Sequence, residues 1–196
     1  EIFFDPQAHT SRGVPFAAVV DGLWSAVQEA RGLGVEAALI MCFLRDHSVE
    51  SAEETLAASL PYRDRILGVG LDSDERGNPP EKFAAVFDAA KQAGYRLTMH
   101  CDIDQEQSIA NIATVLHRIG VERIDHGTNI LEDDALVAEA KERGIGFTCC
   151  PLSNSFVTEQ MKGQEITDLL RQGLKVSVAS DDPAYFGGYV GDNLEA

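Results

Sequence analysis

The segment EKFAAVFDAAKQAGYRLTMH, residues 81–100, contains the unit that decides the fold. Its first twelve residues are typical of an amphipathic helix. Gly94 follows, and a glycine just past a helix commonly adopts the left-handed conformation that ends it. The run RLTMH then predicts a strand that ends in His100. The segment therefore predicts a helix, a glycine stop and a strand with a histidine at its end.

The same unit recurs along the chain. Residues 16–27 place apolar side chains at helical spacing, and Ser51 with Glu54 is expected to form a capping box for a helix that runs through Leu60. Most of the predicted strands are apolar throughout, which is typical of a parallel sheet buried on both faces. Seven strands are predicted, near residues 1–4, 37–44, 66–71, 96–100, 123–126, 146–150 and 175–180.

Two α/β architectures fit this alternation of helices and strands. A doubly wound sheet is less favoured, because no glycine-rich phosphate fingerprint follows any predicted strand. Polar side chains follow four different strands, at His100, His126, Asn154 and Asp181, as in a (β/α)8 TIM-type barrel. Since seven strands are predicted rather than eight, we expect residues 1–196 to form a single, incomplete barrel domain that contains strands two to eight and lacks the first.

Composition narrows the classes of partner. The 196 residues carry a formal net charge of −16, which argues against binding to nucleic acid or to an anionic membrane surface. No apolar run approaches the roughly 20 residues that a membrane-spanning helix needs. The four cysteines form no C-x-x-C pair and are expected to be buried, reduced thiols. A cytoplasmic protein is the resulting expectation, while the negative charge says little about a neutral small substrate.

The polar residues at the strand ends suggest a metal site. A histidine and an aspartate from separate strands can bind one ion. In SDDP (180–183), adjacent carboxylates can face opposite directions, so that one reaches a metal and the other a ligand. Taken alone, however, SDDP is more typical of a turn or a helix N-cap. His126 alone is more typical of a hydrogen-bonded core histidine, and CPLSN (150–154) is compatible with either a pocket wall or a structural turn.

The motifs in combination resemble the adenosine/adenine deaminase family of metal-dependent amidohydrolases, and the adenine deaminase branch in particular. The resemblance rests on EIFFDPQAH (1–9), MHCD (99–102), ERIDHG (122–127), CPLSN and VASDDPAYFGGYV (178–190). It implies a barrel enzyme of purine metabolism that uses one Zn²⁺ to deaminate adenine or a related aminopurine hydrolytically, giving the 6-oxopurine and ammonia. It further implies that His100 and Asp181 bind the zinc, that Asp182 binds a purine ring nitrogen, and that His126 orients the attacking water.

Two departures from the family pattern concern the zinc ligands and the proton carrier. The family's His-x-His pair is absent, so we expect it to precede this stretch of sequence. Ile103 stands where the family has its proton-carrying glutamate, which leaves Asp104 and Asp102 as candidates. Glu106 is expected at the start of the next helix. These departures keep open a barrel hydrolase that acts on another or an N6-substituted purine, or a non-catalytic purine-binding fragment.

Overall fold

The computed structural model describes residues 1–101 and 103–196. The chain forms two compact units, Glu1–Thr98 and Met99–Ala196. Each unit is built from parallel strands that alternate with helices.

The first unit contains β1 (Ile2–Phe4), β2 (Leu39–Leu44), β3 (Ile66–Asp72) and the beginning of β4 (Arg96–Cys101). These strands pair in parallel in chain order. Five of the six residues of β2 and five of the seven residues of β3 are buried, as their continuous apolar sequences predicted. Gly70 allows close packing in the sheet, because a Cβ atom there would lie 2.6 Å from Cys42 Sγ.

Four α-helices connect these strands along the chain: α1 (Pro6–Thr10), α2 (Phe16–Gly32), α3 (Val49–Ser59) and α4 (Ala84–Gln92). Short 3₁₀ turns span Leu60–Tyr62 and Pro80–Phe83. The predicted capping box at Ser51 and Glu54 is wrong. Helix α3 begins earlier, at an N-cap formed by Ser48, whose hydroxyl accepts a 3.2 Å hydrogen bond from the Ser51 backbone N–H. Ser51 is therefore already inside the first turn.

The second unit contains the end of β4, then β5 (Arg123–His126), β6 (Gly146–Cys149) and β7 (Lys175–Val178), of which β5, β6 and β7 pair in parallel. Its α-helices are α5 (Ser108–Thr114), α6 (Asp134–Arg143), α7 (Pro151–Thr158), α8 (Gly163–Arg171), α9 (Pro183–Phe186) and α10 (Val190–Glu195). A π-helical turn, Val115–Ile119, extends α5, and a 3₁₀ turn spans Thr128–Glu132.

The seven predicted strands are all present among the described residues, within about two residues of their expected ends. Parallel strands that alternate with helices confirm the predicted (β/α)8-type fold class, with strands corresponding to the second to eighth of the barrel. The single-domain assignment stays a prediction. In the part of the chain that the structure describes, no helix has the length and hydropathy to cross a membrane.

Candidate active site

Three of the expected site residues lie together in the second unit. His100 is the penultimate residue of β4, His126 is the last residue of β5, and Asp181 follows the end of β7. The ring centroids of His100 and His126 are 4.9 Å apart. His126 Nε2 lies 3.6 Å from Asp181 Oδ2. The carboxyl ends of three strands therefore bring two imidazoles and a carboxylate to one place.

The backbone at two of these residues adopts a conformation that side chains disfavour. His126 and Asp181 have φ angles of 65° and 57°, in the left-handed region. Such residues cost on the order of 1–3 kcal/mol each and cluster at functional sites. Gly127 continues the turn after β5 with φ of 65°, and a Cβ atom there would meet Ile124 Cγ2 at 2.6 Å. The turn that aims the His126 ring therefore depends on this glycine.

Ser153 fixes the Asp181 carboxylate. Its hydroxyl donates a 2.6 Å hydrogen bond to Asp181 Oδ2, and the Ser153 side chain is buried. A hydrogen bond to an ionised acceptor is among the stronger ones in proteins. Ser153 lies in the first turn of α7, which begins at Pro151. The structure therefore shows that CPLSN starts a helix and contacts the site, rather than forming a simple turn.

Asn154 holds the other side of the His126 ring. Asn154 Oδ1 lies 3.0 Å from His126 Nδ1, and both side chains are buried. Burial lowers the pKa of His126, and the adjacent His100 ring lowers this pKa further, although Asp181 opposes the shift. This shift favours the neutral imidazole near neutral pH. The sequence predicted Asn154 at a strand end, whereas it lies inside α7, and the sequence did not predict this contact with His126.

Asp182 is the next residue in the chain after Asp181. It takes no part in the hydrogen bond between Ser153 and Asp181 or in the contact between His126 and Asp181. It occupies the N-cap position of α9 without a side-chain capping bond, while its carbonyl accepts hydrogen bonds from the Tyr185 and Phe186 backbone N–H groups. The Asp182 residue is exposed. Its backbone thus has the helix-start role that the motif alone suggested, and its side chain is not used for capping.

The loop after β4 holds the candidate proton carriers. Asp104 is paired with Lys162, whose Nζ lies 2.7 Å from Oδ2, and its backbone N–H donates to Asn129 Oδ1 at 3.0 Å. Asp102 lies outside the described residues. Ile103 is only 6% exposed, so an apolar side chain is buried at the position of the family glutamate. Glu106 precedes α5, which begins at Ser108.

The donor atoms of this cluster match zinc in type. Imidazole nitrogen and carboxylate oxygen are ordinary zinc ligands, and His100 and Asp181 offer one of each. Cys150 Sγ also lies within 4.8 Å of the His126 and Asp181 donor atoms. Burial, and next the Asp181 charge, raise the pKa of the Cys150 thiol, which disfavours the thiolate that a metal needs. Catalytic zinc commonly has three protein ligands, and the His100 imidazole and Asp181 carboxylate match such ligands in donor type.

Comparison with known proteins agrees with this geometry. The family model described as adenosine deaminase matches residues 1–196. The chain belongs to the adenosine deaminase family. An adenine deaminase of Zymomonas mobilis is 49% identical over 199 aligned residues, which cover 100% of this chain and 58% of that protein.

Solved structures of related proteins are also similar to this chain. The crystal structure of an adenine deaminase from Arthrobacter aurescens is similar with a TM-score of 0.91 and 42% identity, over 99% of this chain and 60% of that one. A Burkholderia ambifaria amidohydrolase crystallised with bound zinc has a TM-score of 0.88 and 27% identity, over 98% of this chain and 55% of that one. This member of the adenosine deaminase family thus spans somewhat more than half the length of these relatives.

Proposed function

We propose that the protein is a zinc-dependent deaminase that hydrolyses adenine, or a closely related aminopurine, to the 6-oxopurine and ammonia. The observation that carries the proposal is the cluster in which His126 Nε2 lies 3.6 Å from Asp181 Oδ2 and the two histidine rings are 4.9 Å apart. The 49% identity to an adenine deaminase and the zinc in a related amidohydrolase structure support it.

Each residue of the cluster is proposed to have one role. His100 and Asp181 hold the zinc, which when bound lowers the pKa of a coordinated water toward about 7. His126 orients the attacking water and exchanges a proton with it through Nε2. Asp182 accepts or donates a hydrogen bond at a purine ring nitrogen. Ser153 keeps Asp181 Oδ2 in place, as partners of metal ligands commonly do.

Residue 103 cannot supply the proton for the purine ring and the leaving amine, so a carboxyl group at another position must supply it. Asp102 and Asp104 are the proposed carriers, since Ile103 has no titratable group. Lys162 holds Asp104 through contacts to both carboxylate oxygens, at 2.8 and 2.7 Å. A carboxylate engaged in this way is better suited to anchor the loop than to exchange protons. We therefore assign the anchor to Asp104 and proton transfer to Asp102.

Ammonia release tests the proposal. The full-length protein should release ammonia from adenine, and Asp181→Ala should abolish the release by removing a zinc ligand. Asp168→Ala is a matched control, because this aspartate lies on α8 and its carboxylate accepts hydrogen bonds from Gln164 and Arg171 of the same helix. Absence of ammonia from every 6-aminopurine offered, with a purine nevertheless bound, would instead establish a non-catalytic purine-binding protein.

A second candidate function is favoured by the buried Ile103. An apolar side chain in place of a carboxylate suits a substrate whose N6 atom carries an alkyl group, because no charged group must then be desolvated beside it. In that case the enzyme would release an alkylamine. Comparison of adenine with N6-methyladenine decides between the candidates, since preferential release of methylamine would replace adenine as the proposed substrate.

A further inference from the structure

We propose that Asn154 is a positioning residue that holds the His126 proton at Nδ1 and leaves Nε2 as the atom that exchanges protons at the site. The structural part of this inference rests on the contacts of Asn154 alone. Its catalytic consequence rests on the proposed deaminase function. Apart from this role, the cluster of His100, His126 and Asp181 does not explain why a fully buried carboxamide occupies position 154.

The contacts of the Asn154 amide define which end faces the histidine. Its Nδ2 is directed toward the Met161 carbonyl oxygen, 3.5 Å away, which is a weak contact. A carbonyl oxygen can only accept hydrogen bonds, so the contact still favours the donor end of the amide on this side. Rotating the amide by 180° would place two acceptors against each other. The carbonyl end, Oδ1, therefore faces His126 Nδ1 at 3.0 Å. Because Oδ1 is an acceptor, Nδ1 must donate and must carry a proton.

The secondary structure of α7 does not require this side chain. The Asn154 backbone N–H donates to the Cys150 carbonyl, and its own carbonyl accepts from Thr158 Oγ1 at 3.0 Å. Asparagine is a poor helix former, and a buried amide is costly unless it is hydrogen-bonded. A leucine would suit a buried helix position better. The hydrogen bond to His126 is the contact that accounts for asparagine here.

The other ring nitrogen remains available. His126 Nε2 is 3.6 Å from Asp181 Oδ2, which is longer than the roughly 2.7–3.2 Å of a direct hydrogen bond. With Nδ1 committed to Asn154, proton exchange can take place only at Nε2. The backbone turn at His126 and Gly127 sets the direction of the ring, and Asn154 sets which nitrogen carries the fixed proton. The backbone turn and the Asn154 contact therefore define, respectively, the orientation and the tautomer of the His126 ring.

Nuclear magnetic resonance of the full-length protein, labelled with ¹⁵N-histidine, tests the tautomer directly. Comparison with His126→Gln assigns the His126 signals. We expect a protonated nitrogen at Nδ1 and an unprotonated one at Nε2 in the neutral ring, and a mixture of tautomers in Asn154→Leu. A neutral ring with its proton at Nε2 in the unchanged protein would overturn the proposal, as would an identical spectrum in Asn154→Leu.

Kinetics test the consequence for catalysis. Asn154→Leu should lower kcat about 10- to 100-fold, the usual effect of removing an orienting partner, with KM changed by less than about threefold. Asn154→Asp keeps an acceptor toward Nδ1 and should recover most of kcat. Ser155→Ala in the same helix, where the hydroxyl donates a 2.6 Å hydrogen bond to the Leu152 carbonyl, should leave both constants unchanged. Equal losses in the Leu and Asp variants would contradict a role through the acceptor oxygen.

The two measurements separate this inference from the proposed function. If no aminopurine is deaminated, the spectra still decide whether Asn154 fixes the His126 tautomer. If deamination occurs but the spectra show a proton fixed at Nε2, the enzyme assignment stands and the role of Asn154 is wrong.

Discussion

Ser153 Oγ donates a 2.6 Å hydrogen bond to Asp181 Oδ2, and this contact joins the first turn of α7 to the carboxylate that follows β7. The same turn presents Asn154 to His126. Consecutive residues of one helix therefore orient the proposed zinc ligand and the proposed catalytic histidine. This helix start contributes to the site in a way that its proline-led sequence does not reveal.

Ser153→Ala should weaken zinc binding and catalysis together. The alanine removes the 2.6 Å hydrogen bond that the Ser153 hydroxyl donates to Asp181 Oδ2, so the carboxylate becomes free to rotate. We expect about a 10- to 100-fold loss in zinc affinity or in kcat, as for other partners of metal ligands. Zinc titration with a competing chelator measures the first quantity. Unchanged affinity and turnover would show that Asp181 does not need Ser153.

Asp104 and Lys162 should behave as a loop anchor. Asp104→Asn and Lys162→Met each break the same pair, so we expect similar losses in kcat, below about tenfold, and no further loss in the double variant. The coupling free energy for unfolding should be on the order of 1 kcal/mol or less, because the Asp104 side chain is 41% exposed. A far larger loss of kcat in Asp104→Asn than in Lys162→Met would identify Asp104 as the proton carrier.

Asp72→Asn should stabilise the protein at alkaline pH. Burial, followed by repulsion from Asp5, raises the pKa of Asp72 well above its ordinary 3.8. The folded state therefore keeps this proton to a higher pH than the unfolded chain. The resulting stability is complete below about pH 4 and is lost as the pH rises through the native value.

Asp72→Asn should accordingly raise the free energy of unfolding relative to the unchanged protein. This gain should be larger at pH 8 than at pH 4. Each unit of pKa difference corresponds to about 1.4 kcal/mol. Urea titrations at the two pH values measure this difference. The exposed Asp46 offers a control, as Asp46→Asn should change the free energy of unfolding little. A gain for Asp72→Asn that does not depend on pH would show that its carboxyl ionises normally.

Cys149 should resist alkylation in the folded protein. The described chain has four free cysteines, all buried, as the sequence predicted. Burial, together with the Asp125 charge, raises the pKa of Cys149 to about 12. Almost no thiolate is therefore present at pH 8. Mass spectrometry after treatment with iodoacetamide should find Cys149 modified only after unfolding. Rapid labelling of the native protein would contradict the buried environment.

The sequence predicted the strands more successfully than the helix starts. Continuous apolar runs specify buried parallel strands, so β2 and β3 lie where those runs do. Helix starts depend on competition between neighbouring polar residues. Ser48 and Ser51 both suit an N-cap, and the spacing to Glu54 favoured the wrong one. In the structure the Ser51 hydroxyl instead accepts a 2.7 Å hydrogen bond from Gln7 Nε2, 44 residues away in the sequence.

The residues of the candidate site were predicted only in part. His100, His126 and Asp181 follow strands, and parallel strands bring their ends together, so their proximity followed from the fold. The contacts of Ser153 and Asn154 did not, since each depends on partners 28 residues away in the sequence. The pairing of Lys162 with Asp104 spans 58 residues and left no local signal.

The most direct test of the central claim is the rate of adenine conversion to the 6-oxopurine by the full-length protein, measured with zinc bound and after zinc removal by a chelator. We expect turnover in the zinc-loaded protein, loss of at least about 100-fold on removal, and recovery when zinc is restored. Asp181→Ala should remain inactive after the same restoration. Turnover that is equal with and without zinc, or absent from the zinc-loaded protein, would contradict the proposed zinc-dependent adenine deaminase.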